Sequence, residues 1–254
     1  MLFLDENNNC DWRLTPWDKR AFGLETSEIL NIKFTDKLEG LFELIDKENI
    51  KNNIALSFFR HDSNDQQLKR IATSKKFFIT EFSLYAYNYD LSNIKKSRLN
   101  LDFMLLKKDN IKEVNEVKEI ASTSFCHGRF HEDPIVGLEL AQKRYNFWID
   151  DLIDSTNVYY FKIKNKVAGF FCYKVSDEWL DLPLAGLSED AKGIGGFFWA
   201  NMFNYLYLES GIKKIKMLIS GSNIPVINLY SSFGFSFRDP LFGYHKYYKK
   251  VEVE

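Results

Sequence analysis

Asp190-Ala-Lys-Gly-Ile-Gly-Gly196 stands between an apolar stretch, Trp179 to Leu187, and a run with helical spacing from Ile194 to Glu209. Gly193, Gly195 and Gly196 remove side chains where the backbone turns from strand to helix. A ligand can then approach the N–H groups that have no acceptor inside the helix. A plain tight turn or a close-packed helix start uses the same glycines, so the turn alone leaves both readings open. A dinucleotide fingerprint wants G-x-G-x-x-G at the first βα turn, and this turn comes late in the chain. A P-loop is excluded because no G-K-[ST] follows.

Downstream of the turn, the alternation of apolar residues predicts a strand over 214–220, a helix over 223–232 and two final strands. Upstream, strands over 158–163 and 167–175 flank Lys164-Asn165-Lys166 and read as an antiparallel hairpin. A strand over 99–106, a helix over 110–124 and a longer helix over 134–153 come before it. The order β-α-α-β-β-β-α-β-α-β-β describes one α/β lobe. Ahead of it, an opening segment over 12–22 and a strand over 29–34 precede a helix over 37–47, whose Leu38, Leu41, Phe42 and Ile45 share one face. A strand over 53–60, a helix over 63–74 and a strand over 77–89 complete a smaller βαβαβ lobe. The polar stretch from Asn88 to Arg98 divides the chain into residues 1–96 and 97–254. No fixed-period repeat is visible.

Composition bounds the function. With 45% hydrophobic and 27% charged residues over 254 positions, the chain has enough apolar surface to fold, and wholesale disorder is excluded. Lys plus Arg number 34 against 35 Asp plus Glu, so broad electrostatic binding to nucleic acid or anionic lipid has no basis. Cys10, Cys126 and Cys172 lie far apart, outside any C-x-x-C spacing, and read as reduced thiols. The first residues lack a basic leader, and no run reaches the roughly 20 apolar residues of a membrane span, so a cytoplasmic location is expected. The aromatic C-terminal strand, residues 242–248, is read as an edge at which two chains could pair.

The context of the glycine turn decides between its two readings. After it come Ile215-Lys-Met-Leu-Ile219, Ser222-Asn223 and Leu229-Tyr-Ser-Ser-Phe-Gly-Phe235. The run resembles the signature of the GNAT superfamily of N-acyltransferases, in which R/Q-x-x-G-x-G/A holds the coenzyme A pyrophosphate and N-x-x-A-x-x-x-Y-x-x-x-G-F follows the next strand. It agrees at Gly193, Gly195, Asn223, Tyr230, Gly234 and Phe235. It departs at Asp190, where the family has Arg or Gln, and at Pro225 and Val226. The resemblance implies a mixed, strongly twisted central sheet flanked by helices in the C-terminal part, with the smaller α/β lobe before it. It implies acyl-coenzyme A as co-substrate, held by Lys192, Gly193, Ile194, Gly195, Gly196 and Asn223. The backbone of Leu184, Ala185, Gly186 and Leu187 would line the pantetheine arm and polarise the thioester carbonyl. Tyr230 would protonate the departing thiolate; on the residues alone it reads equally as a core tyrosine of its helix.

Phe125-Cys-His-Gly-Arg-Phe-His-Glu-Asp-Pro134, followed by Arg144-Tyr-Asn-Phe-Trp148, gathers two histidines, an arginine and two carboxylates. Asp133-Pro134 also reads as a helix start, with Asp as N-cap and Pro at the first position. A metal held by His127 and His131 would lack further ligands at a recognisable spacing, so no metal is expected. G-R-F-H-x-D-P with R-x-x-x-W, together with Pro16-Trp-Asp-x-x-x-Phe22-Gly23 near the start, resembles the dTDP-fucosamine acetyltransferase subgroup. That implies transfer of an acetyl or 3-hydroxybutanoyl group to the amine of a nucleotide-linked deoxyamino sugar in cell-surface glycan biosynthesis. His131 or Glu132 would take the amine proton, while His127, Arg129, His131, Asp133 and Arg144 would bind the acceptor. Other acceptors (a protein N-terminus, a polyamine, an antibiotic) and a non-catalytic acyl-coenzyme A sensor are the competing readings.

Overall fold

The computed structural model describes residues 1–249. In chain order its elements are β1 (Leu2–Asp5), β2 (Asn8–Leu14), α1 (Pro16–Phe22), β3 (Thr26–Lys33), α2 (Leu38–Lys51), β4 (Leu56–Asp62), α3 (Gln66–Ser74) and β5 (Phe78–Asn88). There follow β6 (Met104–Leu105), α4 (Ile111–Ser124), α5 (Leu138–Ser155), β7 (Asn157–Ile163), β8 (Lys166–Ser176), β9 (Trp179–Leu187), α6 (Gly195–Ser210), β10 (Lys214–Ser220), α7 (Ile224–Ser232) and β11 (Ser236–Tyr247). Two compact units are interleaved along the chain. The first takes residues 1–83, 127–144 and 239 onward, the second residues 84–126 and 145–238. Where the sequence suggests one boundary near residue 96, the chain passes between units four times, in the loop after α4 and inside β5, α5 and β11, whose regular composition gives no boundary signal.

In the first unit the strand order is β1-β2-β3-β4-β11-β5. One sheet face carries α2, which buries Leu38, Leu41, Phe42 and Ile45 at helical spacing, together with Leu68, Ala72 and Phe77. Phe59 and Tyr244, from neighbouring strands, stack beneath them at 4.6 Å between ring centres. Strand alternation sends Glu28, Phe58, Arg60 and His245 to the other face. β11 is therefore an interior strand, paired from Leu241 to Tyr247 against β4 and flanked on its other side by β5. This corrects the expectation that residues 242–248 form an exposed edge, because both rows of backbone donors and acceptors there have a strand beside them.

The second unit orders its strands β5-β10-β9-β8-β7-β6. One face packs Phe198, Trp199, Met202, Phe203 and Leu206 of α6 against Phe161, Phe171, Leu180 and Leu182. The other packs Val117 and Ile120 of α4 and Ile149 and Leu152 of α5 against Tyr160, Phe170 and Leu184. The strand expected over 99–106 is reduced to Met104–Leu105, and the two expected final strands are one. The helix expected from Pro134 starts at Leu138, after Gly137 at a φ of 75°.

Two stretches of the chain, residues 2–88 and 157–247, share one plan that the sequence conceals. Apart from α1, which the first stretch adds before its third strand, each runs hairpin, third strand, helix, fourth strand parallel to the third, helix, last strand: β1-β2-α1-β3-α2-β4-α3-β5 and β7-β8-β9-α6-β10-α7-β11. In each, the third strand gains one residue against its antiparallel neighbour. Asn9 to Asp11 spans Lys33 to Leu30, and Cys172 to Lys174 spans Leu184 to Asp181. The caps of the helices after the fourth strand, α3 and α7, correspond as well: Asp65 accepts from Leu68 N–H, and Asn223 from Val226 N–H. Left-handed Lys76 before buried Phe77 matches left-handed Gly234 before buried Phe235. Few of these residues are identical, which is why no repeat is legible in the letters.

Gly169 of β8 pairs with Phe161 of β7 on one side and Leu187 of β9 on the other. A Cβ there would come within 2.6 Å of both Leu187 Cδ2 and Phe161 Cε1, and 2.9 Å from the Gly186 carbonyl oxygen. Gly169→Ala should cost about 1–3 kcal/mol by overpacking, read as a lower urea midpoint at unchanged slope.

Candidate functional site

The site begins where two parallel strands part. β10 pairs with β9 only at Lys214↔Trp179, Ile215↔Leu180 and Lys216↔Asp181, although both strands run on to Ser220 and Leu187. The extra residue of β9 falls immediately beyond, at Leu182 and Pro183. Pro183 has no N–H to give a ladder and suits a bulge. The bulge inverts side-chain parity: Leu180 and Leu182 face the α6 core, whereas Leu184, two residues on, faces α4 and α5. Along Leu184 to Leu187, the β10 side of β9 is thus a wedge of backbone without a ladder partner. Its far end is anchored, since Ser124 Oγ donates to the Leu187 carbonyl at 2.7 Å and Ser188 N–H to Ala168 O at 2.9 Å. Gly186 admits the Phe125 ring, whose Cζ would lie 3.1 Å from an added Cβ. Phe125 in turn stacks on Tyr145 at 5.0 Å.

Directly after the wedge, residues 189–194 make a turn of 3-10 helix and α6 begins at Gly195. Gly193, Gly195 and Gly196 are not required by backbone conformation, since none has a positive φ and Gly195 sits at φ −49° and ψ −50°. Packing does not require them either. A Cβ on Gly193 or Gly196 meets nothing within 4 Å, and one on Gly195 only Leu187 Cδ1 at 3.8 Å. The helix start has no side-chain cap. What the three glycines leave is open space over backbone N–H groups and the positive end of a 16-residue helix. Asp190 is exposed, and Lys192 is ion-paired one turn back to Glu189 rather than to Asp190.

The same place in the first unit is closed. Asn8, 1% exposed, accepts with Oδ1 from Thr35 N–H and Lys37 N–H, both at 3.1 Å, at the start of α2. Its amide donates to Asp5 at 2.8 Å. Leu4 reaches within 3.4 Å of a Cβ on Gly40. One cradle of the two is filled by the protein's own side chains.

Asn223 caps α7 through its Oδ1, at 3.3 Å from Val226 N. Tyr230, on the same helix, is 4% exposed among Trp199, Phe203 and Phe235, with the Phe235 ring stacked at 5.1 Å. Burial pushes its phenol up to about 12. Pro183, Ser124 and Phe125 escaped the sequence reading; a proline inside an apolar strand was the available signal for the bulge.

Residues 127–137 belong to the first unit, against the sheet face away from α2. Arg129 is 9% exposed; it donates to Glu28 Oε1 at 3.1 Å and lies 4.2 Å over the Phe58 ring. Arg144 donates through Nε to Asp18. Asp133 accepts from Ile135 N–H at 2.7 Å through one oxygen, and from His245 Nδ1 at 2.5 Å and Tyr247 Oη at 2.7 Å through the other. It therefore holds the turn before α5 instead of capping the helix itself. Glu132 accepts from Gly128 N–H at 3.0 Å. His131 is half-buried, and burial together with His127 lowers its pKa, so its imidazole is neutral near pH 7. Among the described residues no cluster of His, Cys, Asp or Glu could hold a metal ion, and no helix is long and apolar enough to cross a membrane.

His245 is fully buried, and desolvation with Arg129 and Arg60 nearby lowers its pKa despite Asp133. Below its ordinary value of 6.5 the unfolded chain takes up a proton that the folded His245 refuses. Stability should therefore fall as pH drops from 7 towards 5, with His245 contributing a slope of up to about 1.4 kcal/mol per pH unit. Urea midpoints across that range check it: His245→Gln should show a clearly shallower pH dependence than the parent, and an identical slope would exclude His245 as its source.

No protein-family model matches the chain, and no curated protein sequence does. Solved structures do. A conserved protein of unknown function from Staphylococcus epidermidis superposes with a TM-score of 0.67 at 12% identity, covering 96% of this chain and 93% of its own. A GCN5-related N-acetyltransferase from Sphaerobacter thermophilus gives 0.62 at 8%, covering 93% and 76%. A tandem GNAT protein from the clavulanic acid biosynthesis pathway gives 0.57 at 10%, covering 87% and 75%. Identities this low speak for the fold alone, and the fold of this chain is that of the GCN5-related N-acetyltransferases.

Proposed function

We propose that this protein is an acyl-coenzyme A-dependent N-acyltransferase whose donor lies in the second unit, pantetheine in the β9–β10 wedge and pyrophosphate on the glycine turn. The observation that carries the reading is the ladder that stops at Asp181↔Lys216, followed by three glycines that neither packing nor backbone conformation requires. The unpartnered backbone from Leu184 to Leu187 would hold the amide-rich arm by strand-like hydrogen bonds and one of its N–H groups would polarise the thioester carbonyl. Lys192, Ile194 and Asn223 complete the donor side.

The acceptor is proposed to be the amine of a nucleotide-linked deoxyamino sugar, on the strength of the GRFHEDP loop and the later Arg144 and Trp148. The neutral amine attacks the thioester carbonyl carbon, forming the C–N bond. A base takes a proton from nitrogen, and the C–S bond then breaks with the electron pair leaving on sulfur. His131 is the first choice of base, because its lowered pKa keeps it neutral, with Glu132 the second. Tyr230, protonated throughout the neutral range, is the hydrogen-bond donor to the departing thiolate. His127 and Asp133 are assigned to the acceptor side. Arg129 and Arg144 join them only by shifting from Glu28 and Asp18. The acyl group is acetyl or 3-hydroxybutanoyl.

Thiol release from acetyl- and 3-hydroxybutanoyl-coenzyme A, measured with a panel of dTDP- and UDP-amino sugars, tests both halves. Release with peptides or polyamines but with no sugar would sink the acceptor half; no acyl-coenzyme A binding by calorimetry would sink the whole. Gly196→Val should weaken acyl-coenzyme A binding at least about tenfold with an unchanged melting temperature, since its side chain enters open space. Tyr230→Phe should lower kcat by roughly 10–100-fold with little change in donor affinity.

A further inference from the structure

The second unit carries an aromatic platform that neither the donor site nor the GRFHEDP loop uses. Along β5, Ala86 and Asn88 turn inward to the buried side, so Tyr85, Tyr87 and Tyr89 share the opposite face. Their rings follow one another at 5.9 Å and 6.1 Å, the second pair inclined by only 20°. Trp179 stands edge-on to Tyr87 at 5.5 Å and to Tyr89 at 5.3 Å. The core under α4 and α5 draws its strand residues from β7, β8 and β9 and includes none from β5 or β10. Tyr89 is 47% exposed. An aromatic row whose end, at Tyr89, is open to water is suited to stacking a flat ring.

Two cations flank its exposed end. Arg238 lies 5.8 Å over the Tyr89 ring and has no carboxylate partner among the described residues. Lys214 lies 5.7 Å from the Trp179 ring while reaching Glu178 at 2.7 Å. Position links the platform to the chemistry. Leu91 N–H donates to Lys213 O at 2.8 Å, which brings the end of β5 beside the start of β10. Tyr85, four residues back along a neighbouring strand, then lies roughly 13 Å further along β10, beyond Lys216 where the wedge opens.

We propose that this platform binds the nucleoside diphosphate part of the acceptor, with the base stacked at Tyr89 and Trp179, the phosphates on Arg238 and Lys214, and the amino sugar directed along β5 towards the wedge. The proposal rests on the N-acyltransferase reading and names the acceptor subsite within it. It also supplies phosphate contacts without drawing Arg129 and Arg144 from their buried carboxylates.

Calorimetric titration of the full chain with dTDP, UDP, thymidine and uridine tests it, with acetyl-coenzyme A as a separate titrant. The nucleoside diphosphates should bind the parent protein. Tyr89→Ala should weaken diphosphate and nucleoside alike by about tenfold, the scale of one lost base–aromatic stack. Arg238→Ala should weaken the diphosphates by a similar factor and leave the nucleosides unchanged. Acetyl-coenzyme A affinity should be the same in both variants. No diphosphate binding by the parent overturns the proposal. So does diphosphate binding that Tyr89→Ala leaves unchanged, which would move the nucleotide elsewhere, such as the glycine turn. Failure of acetyl-coenzyme A to bind would sink the donor reading alone, because the nucleotide titrations decide the platform either way.

Discussion

The second unit depends on the premature end of one parallel ladder. Two strands that could pair along seven residues pair along three, because an extra residue at Leu182–Pro183 turns β9 out of register. Backbone groups in a sheet interior are costly to leave without partners. A chain that keeps an open stretch there, anchored at its far end by Ser124 and Ser188, has room for a ligand that completes the hydrogen bonding. The parity inversion also lets β9 contribute to both cores, so the distortion is built into the packing on either side.

The first unit repeats the same distortion with the opposite outcome. Its third strand carries the same single-residue excess, with Asn31 in the left-handed region at φ 49°. There, however, Asn8 accepts from the N–H groups that the second unit leaves open. A helix N-terminus can be satisfied by a side chain or by a ligand, and the two units show one choice each. The first unit invests instead in its other face, where Arg129–Glu28, Arg144–Asp18 and Asp133–His245–Tyr247 hold residues 127–144 by charge-assisted bonds away from water. Breaking one partner of such a pair strands a buried charge, so these residues are costly to alter whatever else they do.

Where local pattern dominates, the letters were sufficient. The face of α2, the hairpin about Lys164 and Asn165, the strand–turn–helix at Gly193 to Gly196 and the helix after it over 223–232 all depend on residues within a few positions of one another. Their periods and turn chemistry survive any tertiary context, and they were enough to suggest the fold. The start of α5 was misplaced because Asp133-Pro134 makes a convincing helix opening locally, whereas Asp133 is drawn to His245 and Tyr247, more than a hundred residues away.

Sequence by itself determined the order of elements, the glycine turn and the near-neutral charge that excludes a broad polyelectrolyte partner. Only the tertiary structure decided that two stretches of the chain share one plan, that β11 is interior, and that the first cradle is filled while the second is open. Those outcomes rest on pairings between distant residues, Asn8 with Thr35, β4 with β11, Lys216 with Asp181. A strand's register and a helix end's partner are set by what the fold brings alongside, and no window of sequence contains both sides of that contact.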